Sequence, residues 1–93
     1  MTTITFENHL YTVQPDMALV SEIESELGGI PALVAKLSSS DWSIGELVTL
    51  VQICLQAAGR SADYRALGNR MIADGLDAYL AAARAILCTI LKL

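Results

Sequence analysis

The stretch that most constrains the fold is residues 44–58, a predicted helix with apolar side chains on nearly every side. Ser43 and Glu46 form a capping box, a specific signal for a helix start, and Gly59 follows the last apolar turn. The apolar residues cover most of the circumference: Ile44, Leu47, Val48, Leu50, Val51, Ile53, Cys54 and Leu55. Such a helix must be surrounded by other elements, so we predict that it is the central helix of a small domain.

Two helices are predicted before the central one. Asp16 is a candidate N-cap for a helix over residues 16–27, whose apolar stripe ends at Gly28. Pro31 suits the first turn of a short second helix over residues 31–37, because the first turn needs no backbone N–H from that position.

Two more helices are predicted after the central one. Ser61 or Asp63 caps a helix over residues 62–73, and Asp74 caps a last helix over residues 75–91. The apolar side chains of this last helix are Leu76, Tyr79, Leu80, Ala83, Ile86, Leu87, Ile90 and Leu91. That surface is wider than the short neighbouring elements can readily bury, which indicates that part of it contacts a partner.

A two-stranded antiparallel hairpin over residues 3–14 is predicted to precede the helices. If Asn8 and His9 form a two-residue turn, Phe6 faces Tyr11 across the ladder; a three-to-four-residue loop is the alternative, because His is unusual at that turn position. The apolar residues then share one face: Ile4, Phe6, Tyr11 and Val13. We expect this face to lie on the helices, and we expect the unpaired strand edges to be a candidate site of self-association.

The predicted architecture is therefore mainly α: an N-terminal hairpin packed on a compact bundle of four to five helices, in a single domain over residues 1–93. The chain is 54% hydrophobic and 17% charged, whereas average chains are about 45–50% and 25%. This composition excludes disorder and favours an exposed apolar surface for a partner.

Charge is unevenly distributed along the chain. Residues 1–59 carry seven acidic residues against one basic residue, Lys36, whereas residues 60–93 carry five basic residues against three acidic ones. The net charge of −4 argues against binding to nucleic acid. The two halves attract each other within the chain, or the unevenness is chance, or the halves associate head-to-tail between copies in an oligomer.

No arrangement of residues in the sequence predicts catalysis. His9 is the only histidine and lies at the predicted hairpin tip. Cys54 and Cys88 lie far apart without metal-ligand spacing, which is typical of reduced thiols in a cytosolic protein. We expect no catalytic residue, no metal, no cofactor and no enzymatic activity. The C-terminal run LAAARAILCTILKL is too short and too interrupted by charges to span a membrane.

Three stretches together resemble a known family. YTVQPDMALVSEIESELGG, SSSDWSIGELVTLVQICLQAAG and GLDAYLAAARAILCTIL are similar to the small tail-assembly proteins of siphophages and gene transfer agents, the gene-transfer-agent tail chaperone family. The resemblance implies a non-enzymatic protein of the bacterial host cytoplasm, which coats the tape-measure protein while tube subunits polymerise around it. The alternatives are a structural tail component, in the tube or as a minor tail protein, and a small adaptor that binds a host protein.

The residues predicted to contact a partner come from the helical pattern and from one aromatic loop residue. They are Trp42, Tyr79, Ala83, Ile86 and Ile90. Trp42 either packs beneath its loop or anchors an interface, since tryptophan is enriched at interface hot spots.

Overall fold

The computed structural model describes residues 2–92, which form one hairpin and five helices. Their bounds are β1 Thr3–Phe6, β2 His9–Thr12, α1 Met17–Leu27, α2 Ile30–Ser38, α3 Ile44–Ala57, α4 Tyr64–Asp74 and α5 Leu76–Leu91. The predicted fold class, a mainly α protein with an N-terminal antiparallel hairpin, is confirmed.

Helix α3 lies at the centre of the fold, as its sequence predicts. Helices α1, α4 and α5 pack against it. Its buried residues are Leu47, Val48, Leu50, Val51, Ile53, Cys54 and Leu55. The capping box is formed: the backbone N–H of Ser43 donates to Glu46 Oε1 over 2.9 Å, and the backbone N–H of Glu46 donates to Ser43 Oγ over 3.1 Å.

Besides the capping box, two predicted helix caps are present and one is wrong. Asp16 accepts a backbone N–H of α1 over 3.0 Å. Asp63, and not Ser61, caps α4. Asp74 does not cap α5, because it is the last residue of α4 and its carboxylate is bound by side chains; Gly75 precedes α5 and provides no side-chain cap.

The hairpin turn differs from the predicted one by one residue. Glu7 and Asn8 form the two-residue turn, with φ angles of 51° and 64°, which are typical of the type I′ turn. Phe6 therefore pairs with His9 and not with Tyr11. The predicted turn at Asn8 and His9, and the predicted pairing of Phe6 with Tyr11, are both wrong.

The inner face of the hairpin nevertheless has the predicted composition. Moving the turn by one residue shifts each pairing by two residues, so every side chain keeps its face of the sheet. Ile4, Phe6 and Val13 are buried and Tyr11 is half-buried, while Thr12 on the opposite face is exposed. The hairpin packs on the helices through β1, which lies against α5.

Helix α5 is covered on more sides than its sequence indicates. It packs against α2, α3, α4 and β1. Its buried residues are Tyr79, Ala83, Ile86 and Leu87. Because β1 and α2 both reach it, four of its eight apolar side chains are buried, and the other four pack against the core with part of their surface exposed.

Candidate partner-binding groove

The exposed apolar side chains of the described residues are concentrated at one place. Residues 2–92 expose five large apolar side chains: Leu10, Met17, Ile44, Tyr64 and Ile72. Three of these line one depression between α3 and α4, where Ile44 is 47%, Tyr64 44% and Ile72 60% exposed. Single exposed apolar residues are common, whereas such a cluster marks a candidate interaction site.

The α3–α4 groove is shallow, apolar and built over two glycines. It measures about 260 Å³, and its lining residues are Ile44, Gly45, Val48, Tyr64, Arg65, Gly68, Asn69 and Ile72. A Cβ atom at Gly45 would lie 3.0 Å from Tyr64 Oη, so the glycine gives the phenol room over α3. A Cβ atom at Gly68 would lie 3.6 Å from Val48 Cγ2, which is ordinary van der Waals contact.

Arg65 is the one charged side chain among the residues that line the described groove. Its guanidinium adds a cation beside a lining that is otherwise uncharged and mostly apolar. An amphipathic helix with a carboxylate next to its apolar stripe would match this pattern, in the helix-in-groove mode of recognition.

A second depression, between α1 and α3, has a more polar lining. It measures about 270 Å³ and is lined by Gln14, Asp16, Ala18, Leu19, Glu22, Ile53, Gln56 and Ala57. Asp16 is engaged in capping α1. No group of three or more His, Cys, Asp or Glu side chains within residues 2–92 is arranged to hold a metal ion.

A chain of polar contacts ties the hairpin turn to α4 and α5. Glu7 accepts from Arg60 over 2.6 Å and lies 4.0 Å from Arg70. Arg70 contacts Asp74 over 2.9 Å, and the Tyr79 hydroxyl donates to Asp74 over 2.8 Å. The hydroxyl of Tyr79 and the cation of Arg70 lower the pKa of Asp74. Burial, followed by the bond to Asp74, raises the pKa of Tyr79 to about 12.

Some of these contacts join residues from the acidic half of the sequence to residues from the basic half. Glu7 belongs to the acidic half, whereas Arg60 and Arg70 belong to the basic half, so this one acidic residue contacts bases of the other half within the chain. Head-to-tail association between copies stays a prediction.

Three of the five residues predicted to contact a partner lie in the core. Tyr79, Ala83 and Ile86 are 5%, 1% and 0% exposed, so the folded chain does not present them at its surface. Trp42 and Ile90 are half-buried and pack against the core with part of their surface exposed. They stay predicted contact residues, and neither of them lines the α3–α4 groove.

The residues that border the groove are not among those predicted to contact a partner. The helical pattern predicts Ile44 as an apolar residue of the central helix, and Tyr64 and Ile72 fall within the helix predicted over residues 62–73. Gly45 and Gly68 are a signal in the sequence, because a glycine inside a helix costs about 1 kcal/mol relative to alanine and each of them lies within a predicted helix.

The histidine and the two thiols show no arrangement for catalysis within the described residues. His9 is exposed and its ring stacks on Tyr11 with the ring centroids 6.3 Å apart. Cys54 is buried, and burial raises the pKa of its thiol to about 12, far from an activated nucleophile. Cys88 is half-buried. None of the described helices has the length and apolar character needed to cross a bilayer.

The fold and the groove define a small helical protein whose surface chemistry is suited to binding other proteins. The family described as "Phage tail tube protein, GTA-gp10" matches residues 1–92, and the chain belongs to this family. The match confirms the predicted relationship to phage and gene-transfer-agent tail proteins. Its description is that of a structural component, which agrees better with the structural alternative than with a chaperone. Neither the curated proteins nor the solved structures gave a significant match.

Proposed function

We propose that this protein acts in tail morphogenesis by binding a helical segment of another tail protein in the α3–α4 groove, and that this partner is the tape-measure protein. The observation that carries the proposal is the cluster of Ile44, Tyr64 and Ile72, three exposed apolar side chains around one groove. A member of a tail-protein family works among other tail proteins, and an apolar groove between two helices accepts the apolar face of a third helix.

The size of the groove determines the affinity that we expect between one copy of the chain and one helical segment of its partner. A shallow site with three partly exposed apolar side chains gives weak binding per copy, since only a few hundred Å² at most is buried there. A long client with repeated helical segments would bind many copies at once, and the combined affinity would exceed that of one site. Such a coat would keep an apolar client soluble in the cytoplasm of the bacterial host during assembly.

The second candidate function is a structural component of the tail, and the family description favours it. In that case the groove holds a neighbouring tail protein and the chain stays in the finished particle. The described residues contain one sheet of two four-residue strands, so any extended sheet in a tail wall would have to form between copies.

Two measurements separate the candidates. In co-expression with the tape-measure protein from the same genome, an assembly chaperone is expected to co-purify with that protein and to increase its soluble fraction. Mass spectrometry of purified particles should then find the tape-measure protein without this chain. Stoichiometric amounts of this chain in the particles would instead support the structural candidate. No complex and no change in solubility would refute the chaperone.

A further inference from the structure

The outer edge of β2 presents unpaired backbone groups at a surface distinct from the groove. Hydrogen-bonded and non-hydrogen-bonded pairs alternate in an antiparallel ladder. Phe6 pairs with His9 directly beside the turn, and the backbone N–H of Val13 donates to Thr2 O over 2.9 Å, which fixes the alternation. The backbone groups of Leu10 and Thr12 therefore point away from β1, and within residues 2–92 they have no backbone partner.

The same edge is exposed and carries no lysine, no proline and no bulge. His9, Leu10 and Thr12 are exposed, and Leu10 is 67% exposed. Natural edge strands are commonly protected by lysine, proline, a bulge or a very short length, and of these four β2 has only the short length. β2 has the sequence HLYT and pairs with β1 in an unbroken register.

We propose that the edge of β2 is an interface at which two copies of this chain pair antiparallel, which extends the two-stranded sheet to four strands. The unpaired backbone N–H and C=O groups recur at every second residue. This spacing matches the backbone hydrogen-bonding groups of another strand and of no other element. The edge is also self-complementary under a twofold axis: Leu10 of each copy lies opposite Thr12 of the other, and the two copies of Tyr11 meet at the axis.

The whole chain carries a net charge of −4, but the charges near the edge of β2 do not oppose pairing with a second copy. A twofold interface places identical residues near each other, so like charges there would oppose it. β2 contains no Asp, Glu, Lys or Arg. The nearest acidic residue in sequence is Glu7, whose carboxylate is bound by Arg60 and lies 4.0 Å from Arg70.

The interface is small, so the pairing is weak. Two strands of four residues run side by side for only about 13 Å. The area that such a contact buries is far smaller than the roughly 1,600 Å² of a typical stable interface. The dimer is therefore populated at high protein concentration or where another molecule holds several copies together.

Disulfide trapping tests the pairing and its register. Two differently tagged chains, each with Cys88→Ser, carry Leu10→Cys and Thr12→Cys respectively and are mixed under mild oxidation. Directly opposite residues in this register have Cα atoms about 5.5 Å apart, within the range for a disulfide. Leu10→Cys mixed with Thr5→Cys is the matched control, because Thr5 presents the edge of β1.

The expected result is a severalfold higher yield of mixed dimer from Leu10→Cys with Thr12→Cys than from the control mixture. Equal yields, or no dimer from either mixture while circular dichroism shows folded protein, would overturn the proposal. Sedimentation at high concentration gives an independent readout without cysteines. Leu10→Lys should abolish the concentration-dependent dimer and Thr5→Lys should leave it; the opposite pattern would assign the contact to β1.

Discussion

Replacing Ile44 and Ile72 with serine tests whether the α3–α4 groove binds the tail partner. The two side chains are 47% and 60% exposed in the free chain. Complete burial of an isoleucine side chain stabilises by about 1.5–3 kcal/mol. Covering the exposed fractions of both residues in a complex therefore contributes about 2–3 kcal/mol. The double variant should bind roughly 30- to 150-fold more weakly than the unmodified chain.

The assay is isothermal titration of a helical tape-measure fragment into each purified variant. The two isoleucines also bury part of their surface within the chain, so thermal unfolding must show that the double variant is folded at the titration temperature. Met17→Ser is the matched control, because Met17 is 71% exposed and does not line the groove. It should leave the affinity unchanged.

Two outcomes would refute the reasoning. A folded double variant that binds within about twofold of the unmodified chain would show that the groove carries little of the binding energy. Equal weakening by Met17→Ser would show that general loss of surface apolarity, and not the groove, accounts for the effect.

Four further changes have effects that the structure predicts. Ser43→Ala should lower the free energy of unfolding, measured in urea, by about 1 kcal/mol, because α3 loses its capping box. Gly68→Ala should raise the same free energy by about 1 kcal/mol, because alanine is the better helix former and its Cβ atom fits against Val48. The folded chain lowers the pKa of Asp74, so this carboxylate adds stability above its ordinary pKa of 3.8 that is lost as pH falls below it. Asp74→Asn should therefore be less stable than the unmodified chain at neutral pH, with the difference disappearing in acid, as followed by thermal unfolding. Ellman's reagent should modify Cys88 in the folded chain but reach Cys54 only after unfolding.

Each of these predictions has a result that contradicts it. Unchanged urea midpoints for Ser43→Ala would mean that the cap adds nothing to stability. A Gly68→Ala variant that is less stable than the unmodified chain would mean that α3 and α4 pack too closely to accept the added Cβ atom. A stability difference for Asp74→Asn that persists in acid would exclude the ionised carboxylate as its cause, and rapid modification of both thiols in the folded chain would show that α3 opens readily.

Local signals in the sequence predict the helices well. The N-cap at Asp16 and the capping box of Ser43 and Glu46 each depend on residues three positions apart, so they can be read from a short stretch of sequence. Asp74 has the same local appearance but a different role, because Tyr79 and Arg70 bind its carboxylate.

The hairpin turn could not be predicted from local preference. Glutamate disfavours the positive φ of a type I′ turn, and Asn8 seemed a better first turn residue than Glu7. The observed turn places the Glu7 carboxylate against Arg60, 53 residues away in sequence. A contact of that separation is visible only once the chain has folded.

The candidate site could not be predicted for a related reason. Helical periodicity gives the width of an apolar stripe, but the packing of neighbours decides which part of it is covered. α5 has a wide stripe that four elements cover, so Tyr79 and Ile86 are core residues. Ile44 lies on a helix that is apolar on nearly every side and is still 47% exposed, as Ile72 is 60% exposed, because no further helix within residues 2–92 packs over α3 and α4 at the groove.

The packing of β1 on α5 has a consequence for how the chain acquires its structure during synthesis. β1 is the first described element to leave the ribosome and α5 is the last, yet the two are neighbours in the core. α2 and α3 also pack against α5, which covers part of their apolar surface. The apolar surfaces that α5 covers in the folded protein therefore stay uncovered until α5 has been synthesised, so the core is completed only after the last described helix emerges.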